Sequence, residues 1–245
     1  MINLDGKRAL VCGGTSGIGK AAAESLRSCG AQVVILSRSA SGANSISCDL
    51  EDLESLTISV KKEIEKNGDF EILINNSGGP PSGPLIDAKP SDFEKAFLRH
   101  VLASQTLVQL LLPGMKESNY GRIVNIISTS VKEPIPGLGV SNTIRGAMAS
   151  WSKTLSKELP PLITINNVLP GFTNTERLTE LKKTLSKQKG ISEEEVENTW
   201  LSTVPEGRLA DPSELGKVVA FLSSPAASFV RGVSIPVDGG RTGSI

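Results

Sequence analysis

The chain predicts an α/β domain built on a doubly wound parallel sheet, and three observations carry that expectation. Short apolar runs rich in β-branched residues recur along the sequence, helical patterns separate most of them, and a glycine-rich turn follows the first run at once.

The apolar runs are Arg8 to Cys12, Gln32 to Leu36, Glu71 to Ile74, Arg122 to Ile127, Leu162 to Val168 and Val233 to Val237. Each is too short for a helix and reads as a buried strand. Helical patterns run from Gly17 to Cys29, Leu53 to Lys66, Phe93 to Met115, Ile144 to Leu159 and Pro212 to Leu222. Alternation of this kind puts helices on both faces of one sheet. The ligand of such a sheet lies in the crevice at the carboxyl ends of the strands, where strand order reverses, so informative residues are expected just after strands.

At 245 residues, with no linker-like stretch, the chain is expected to be a single domain over 1–245. Lys and Arg total 26 against 26 Asp and Glu, so no net positive field points to nucleic acid or an anionic membrane. A small-molecule ligand is the expectation instead. Cys12, Cys29 and Cys48 are an odd set without metal-ligand spacing, which fits a reducing compartment and makes the cytoplasm the default location. The opening Met1-Ile2-Asn3-Leu4-Asp5-Gly6 is polar, and no apolar run nears the roughly 20 residues that span a bilayer, so neither export nor insertion is expected.

After the first strand comes Cys12-Gly13-Gly14-Thr15-Ser16-Gly17-Ile18-Gly19, and a helix follows directly. That is the context of a phosphate-binding loop. Gly13 permits a tight turn, Gly17 lets the backbone approach a pyrophosphate, and Gly19 lets helix and strand pack closely. The free N–H groups and partial positive charge of the helix start favour an anion there.

Glycines at 13, 17 and 19 resemble the loop of the short-chain dehydrogenase/reductases, with Cys12 where that family has threonine. Further matches follow in the order of that family's strands: Cys48-Asp49-Leu50 where its third strand ends, Asn75-Asn76-Ser77-Gly78 where its fourth ends, Pro170-Gly171-Phe172 where its sixth ends, and Val237-Asp238-Gly239-Gly240 near the end. The resemblance covers essentially the whole chain and implies a Rossmann fold with a nicotinamide cofactor. It implies that Thr15, Ser16 and Ile18 belong to the phosphate loop and that Asp49 and Leu50 flank the adenine. Asn75, Ser77 and Gly78 would line the adenosine ribose, and Pro170, Gly171, Thr173 and Thr175 the nicotinamide carboxamide. Asparagines at 75 and 76 also favour a turn, and the two roles are compatible.

The end of the second strand selects the cofactor. An acid there would bind a ribose 2′-OH, whereas arginine can pair with a 2′-phosphate. It reads Leu36-Ser37-Arg38-Ser39, so NADP(H) is expected, with Arg38 as the phosphate clamp and Ser37 or Ser39 as further donors. The alternative is that Arg38 is simply a solvated surface arginine.

The family's catalytic set is a serine after the fifth strand, Tyr-x-x-x-Lys on the next helix and an asparagine on the preceding one. The resemblance keeps the serine as Ser128. Counting back from Trp151-Ser152-Lys153-Thr154-Leu155 puts Ser141 at the tyrosine position and Arg145 at the lysine position, and Leu111-Leu112-Pro113 puts His100 at the asparagine position. Tyr120, the only tyrosine, belongs to a turn before the fifth strand, at the end of it opposite Ser128. A serine hydroxyl is a far weaker acid than a phenol. Arg145 can hold a ribose hydroxyl or an anionic group, but it stays protonated and cannot shuttle a proton. His100, the only histidine, is either a proton donor with an ordinary pKa near 6.5 or a helix histidine hydrogen-bonded to backbone. Ser141 has the alternative role of an N-cap.

Residues 172–205 are polar, with helical patterns over Thr175 to Ser186 and Ser192 to Trp200, and the resemblance makes them a substrate lid. Phe172, Leu178, Leu181 and Trp200 are expected either to form an apolar wall or to pack between helices. The loop Gly79-Pro80-Pro81-Ser82-Gly83-Pro84 is expected to face the same crevice. A homo-oligomer, tetramer or dimer, is also implied, with the helices at Phe93 to Met115 and Ile144 to Leu159 across a twofold axis. Three functions stay open: a short-chain NADP(H) oxidoreductase acting on a carbonyl or alcohol, a non-redox NADP(H) binder or sensor, and an isomerase or lyase on the same fold.

Overall fold

The structure is a computed structural model that describes residues 2–244; Met1 and Ile245, the two ends of the expected domain, lie outside the described residues. Its strands are β1 (Arg8–Cys12), β2 (Gln32–Ser37), β3 (Ser45–Ser47), β4 (Ile72–Asn75), β5 (Gly121–Ile126), β6 (Ile163–Pro170) and β7 (Ser234–Val237). They form one parallel sheet in the order β3-β2-β1-β4-β5-β6-β7. Strand order therefore reverses between β1 and β4, and the crevice opens there, as the doubly wound expectation requires.

The helices are α1 (Gly17–Ser28), α2 (Leu53–Asn67), α3 (Pro90–Phe97), α4 (Ala103–Glu117), α5 (Gly139–Glu158), α6 (Glu176–Lys189), α7 (Glu193–Leu201) and α8 (Pro212–Leu222). One face of the sheet buries Leu56 and Val60 of α2 with Leu107, Leu111 and Met115 of α4. The other buries Ala22, Ala23 and Leu26 of α1 with Leu215 and Val219 of α8. Apolar cover on both faces explains why β4 and β5 are buried along their whole length and read as unbroken runs. Among the described residues no helix is long and apolar enough to cross a membrane.

Side-chain caps fix several helix starts. Asp52 accepts the Ser55 N–H at 3.0 Å before α2, and Asp211 with Glu214 forms a capping box around Pro212 at the start of α8. Two helices differ from the sequence expectation. The long helix expected over Phe93 to Met115 is two α-helices joined by a π-turn at Leu98–Leu102, which turns His100 into the interior. α5 begins at Gly139 rather than Ile144, because Gly139 and Val140 are buried, the former against the Leu85 backbone. Ser141 is thus inside the first turn of α5 and does not cap it.

Candidate active site

The loop between β1 and α1 is shaped by its glycines. Gly13 and Gly17 take φ of +61° and +52°, the left-handed region that costs other residues energy. A Cβ on Gly19 would collide with the Gly13 carbonyl and the Asn76 side chain, so α1 can start this close to β1 only with glycine there. Asn76 closes the turn from beneath, donating its amide to Cys12 O at 3.2 Å and Gly13 O at 3.3 Å.

Above this loop is a crevice of about 450 Å³. Gly13, Thr15, Ser16, Gly17 and Ile18 form its floor; Ser37, Arg38, Asp49 and Leu50 form one end; Ser77, Gly78 and Thr175 lead out of the other. At the β2 end, the Thr15 and Ser37 hydroxyls stand 3.4 Å and 3.5 Å from that of Ser39. Arg38 is beside them, with 75% of its side chain exposed and a loose 3.9 Å pair to Asp49. An exposed pair of that length contributes little to stability. Three hydroxyls and a free guanidinium fork are the donor set a phosphate group takes.

A second crevice, about 440 Å³, adjoins the first and shares Ile18, Asn76, Ser77, Thr175, Arg177 and Glu180 with it. Ser128, Ser141 and Arg145 line it together, with Pro170, Gly171 and Thr173 at the end of β6. Ser128, two residues beyond the end of β5, accepts the Ser130 N–H at 3.0 Å, which fixes its hydroxyl oxygen near the strand end. Arg145 is buried and donates Nη1–H to Ile126 O at 2.9 Å. Burial, and next the Arg177 charge, pull its pKa down to about 10, so it remains a cation at neutral pH. Gly79, Pro81 and Ser82 face this crevice, as expected of their loop.

Two expected residues are placed elsewhere. Asn75 does not line either crevice: as the last residue of β4 its side chain turns into the sheet, donating to Asn125 Oδ1 at 2.8 Å, and Asn76 takes the place at the crevice wall. His100 also misses both crevices. It is buried behind Ser77, with its Nδ1 2.7 Å from Ser77 Oγ and its Nε2 without a protein partner. Burial first, then the charges of Arg145 and Arg99, hold its pKa down at about 2. The ordinary pKa that would suit it to proton transfer near neutrality does not hold at this position.

The segment expected to be a lid forms two helices, α6 and α7, tied together by a 2.6 Å pair between Lys182 and Glu197. Leu178 and Leu181 face the crevice, whereas Phe172 stacks on Trp200 at 5.1 Å behind it. The expected apolar wall is therefore split, half wall and half packing. Two arginines that sequence reasoning passed over also belong here. Arg99, reached through the π-turn, pairs with Glu51 and donates to Gly78 O at 3.3 Å. Arg177, in the first turn of α6, donates to Pro80 O at 3.0 Å and lines both crevices. Its position directly after the Pro170 to Thr175 motif was the available signal.

The cysteines are free, and burial pushes the Cys12 thiol up to about 12, which leaves it unreactive. Tyr120 is at the far end of β5, where its hydroxyl donates to Ser223 O at 2.6 Å, so no phenol reaches the crevice.

Comparison with known proteins agrees with this geometry. The family model described as enoyl-(acyl carrier protein) reductase matches residues 13–242. The chain is 33% identical over 252 residues to the 3-oxoacyl-(acyl-carrier-protein) reductase FabG of Haemophilus influenzae, covering 97% of this chain and 98% of that one. Among solved structures, YwfH, an NADPH dependent reductase involved in bacilysin biosynthesis, superposes with a TM-score of 0.90 at 27% identity, over 98% of this chain and 99% of that one. The L-sorbose reductase of Gluconobacter frateurii, solved with NADPH and L-sorbose, gives 0.91 at 25% identity over 100% and 99%. With its loop glycines, its strand order and a match over nearly its full length, the chain belongs to the short-chain dehydrogenase/reductase family, the NAD(P)-dependent oxidoreductases of this fold.

Proposed function

We propose that the protein is an NADP(H)-dependent oxidoreductase of a small carbonyl or alcohol compound, in which Ser141 and Arg145 occupy the family's tyrosine and lysine positions. The observation that carries this reading is the junction of the two crevices. The hydroxyl cluster around Arg38 and the group of Ser128, Ser141 and Arg145 line one continuous cleft through Ser77 and Thr175.

The residues fit the cofactor. The glycine loop would hold its pyrophosphate, Arg38 with Thr15, Ser37 and Ser39 its 2′-phosphate, Asp49 and Leu50 its adenine, and Pro170, Gly171 and Thr173 its nicotinamide end. When bound, NADP(H) supplies or accepts the two electrons of a carbonyl–alcohol interconversion. Ser128 donates to the substrate oxygen and orients it. Arg145 offers a fixed, buried positive charge where negative charge grows on that oxygen, and such preorganised charge is a large part of catalysis. The proton comes from solvent, since among the described residues neither a phenol nor a titrating imidazole faces the crevice. Residues 172–205 act as the lid.

Fluorescence titration with NADPH and NADH is the test, followed by a panel of carbonyl compounds. Tight NADPH binding and turnover that Ser128→Ala abolishes support the reading; no binding of either nucleotide ends it. A second reading, NADP(H) binding without turnover, is favoured by the same lack of an acid in the crevice. Any cofactor oxidation that depends on Ser128 excludes it.

The cytoplasm is the compartment we propose, on the strength of the three free cysteines. A homo-oligomer, tetramer or dimer, is supported by two exposed apolar residues, Phe97 just before the π-turn and Leu102 at its end. Sedimentation showing only monomer at micromolar concentration would refute it.

A further inference from the structure

The inner crevice holds more positive charge than a neutral carbonyl compound needs. Arg145 lines the cleft from α5, and its bond to Ile126 O is the one hydrogen bond its guanidinium makes among the described residues. Arg177 enters the same cleft from the first turn of α6, anchored by its bond to Pro80 O. Neither arginine forms an ion pair among the described residues. The sole acidic side chain lining this crevice among the described residues is Glu180, one turn further along α6. Burial depresses the pKa of each guanidinium first; the Arg177 charge lowers that of Arg145 further, whereas Glu180 partly offsets the effect of burial on Arg177.

Two partly desolvated forks share one cavity with a single carboxylate, Glu180, which pairs directly with neither, and an incoming carboxylate relieves that excess of positive charge. Leu178, Leu181 and Ile127 supply apolar surface in the same lining that can take a short carbon skeleton. We propose that the protein selects oxo acids: Arg177 and the free edge of Arg145 hold the substrate's carboxylate while its carbonyl oxygen meets Ser128. This deepens the oxidoreductase reading and rests on it for the carbonyl. Because Arg177 also lines the nucleotide crevice, the cofactor pyrophosphate is the other source of the same anionic chemistry.

The experiment is calorimetric binding, with and without saturating NADP⁺, of pyruvate, acetoacetate and levulinate, each against its primary amide. At least one acid is expected to bind roughly tenfold or more tightly than its amide, with Arg177→Met collapsing that ratio and Arg177→Lys restoring part of it. Equal binding of every acid and amide overturns the proposal. So does an Arg177→Met protein whose NADP⁺ affinity falls while the acid-to-amide ratio stands, since Arg177 then serves the cofactor. If NADP⁺ does not bind at all, the oxidoreductase reading fails, and the acid-to-amide ratio of the protein alone still decides the carboxylate site.

Discussion

Ser77 Oγ and His100 Nδ1 stand 2.7 Å apart, which joins the wall of the nucleotide crevice to the π-turn between α3 and α4. The contact places the single histidine behind the site instead of in it. Its folded pKa, about 2, is far below the ordinary 6.5, so protonation favours the unfolded chain. The stability that the neutral imidazole contributes is complete above pH 6.5 and is lost as pH falls below it. Between pH 7 and pH 5 the loss is about 2 kcal/mol. Urea melts at pH 5, 6 and 7 should show that slope in the native protein and a flatter one in His100→Asn. Equal slopes would mean that His100 titrates normally.

Arg38 is the second test, because it is exposed and can be changed without disturbing the core. Charge-assisted hydrogen bonds to a phosphate contribute about 1.5–3 kcal/mol, or roughly ten- to a hundredfold in affinity. Arg38→Glu should lower NADPH affinity by that factor and leave NADH affinity within a few-fold. An unchanged NADPH-to-NADH ratio, read by fluorescence titration, would return Arg38 to the role of a solvated surface residue.

The sheet interior holds a polar ladder that ties the site together. Asn75 donates to Asn125 and Asn125 to Asn167, each at 2.8 Å, and Asn167 continues to Ser234 Oγ at 3.0 Å, along residues in register on adjacent strands. Asn125→Ala would leave the Asn75 amide and the Asn167 carbonyl buried without partners, at a cost of about 1–3 kcal/mol each. Denaturant melts should show a loss of about 2–4 kcal/mol. A loss under about 0.5 kcal/mol would mean the ladder relaxes onto other partners.

What the sequence made legible follows from how locally each feature is determined. The loop from Gly13 to Gly19 could be read because positive φ and close backbone approach each demand glycine, a property of single residues. β3 did not stand out as an apolar run because Ser45-Ile46-Ser47 is short and two-thirds polar; its existence depends on pairing with β2. The π-turn was invisible because a single extra residue per turn leaves the apolar stripe of α3 and α4 continuous in sequence. Which of Asn75 and Asn76 faces the crevice depends on where β4 ends, a boundary that patterning does not fix to one residue. Arg177 went unread because its chemistry comes from Arg145, distant in sequence, meeting it in one cleft.

Gly19 gives the sharpest steric prediction. A methyl group there meets backbone, the Gly13 carbonyl, which cannot swing aside as a side chain would. Gly19→Ala should cost about 1–3 kcal/mol and push α1 away from the loop, with NADPH affinity falling in parallel. Gly14→Ala is the milder comparison, since its Cβ would meet side chains only, Ile35 and Val11 at 3.1 Å and beyond, and no backbone atom. Equal effects of the two substitutions would show that the loop tolerates displacement of the helix.

Ser141 tests the reading of the catalytic positions. It is in the first turn of α5, one helical turn before Arg145, and both face a crevice of about 440 Å³ that also holds Ser128. Ser141→Tyr would put a phenol with an ordinary pKa near 10 beside a permanent cation, which favours the phenolate and lowers that pKa. If position 141 faces the reacting oxygen, the variant gains a general acid, worth roughly a hundredfold or more in turnover. It also gains an alkaline fall in rate as the phenol deprotonates, which the native protein lacks. Ser128→Ala added to Ser141→Tyr should cancel most of the gain, because the substrate oxygen loses its orienting donor. NADPH oxidation against pH, followed with the best carbonyl substrate, distinguishes the cases: an unchanged rate and profile in Ser141→Tyr would place the reacting oxygen elsewhere in the cleft.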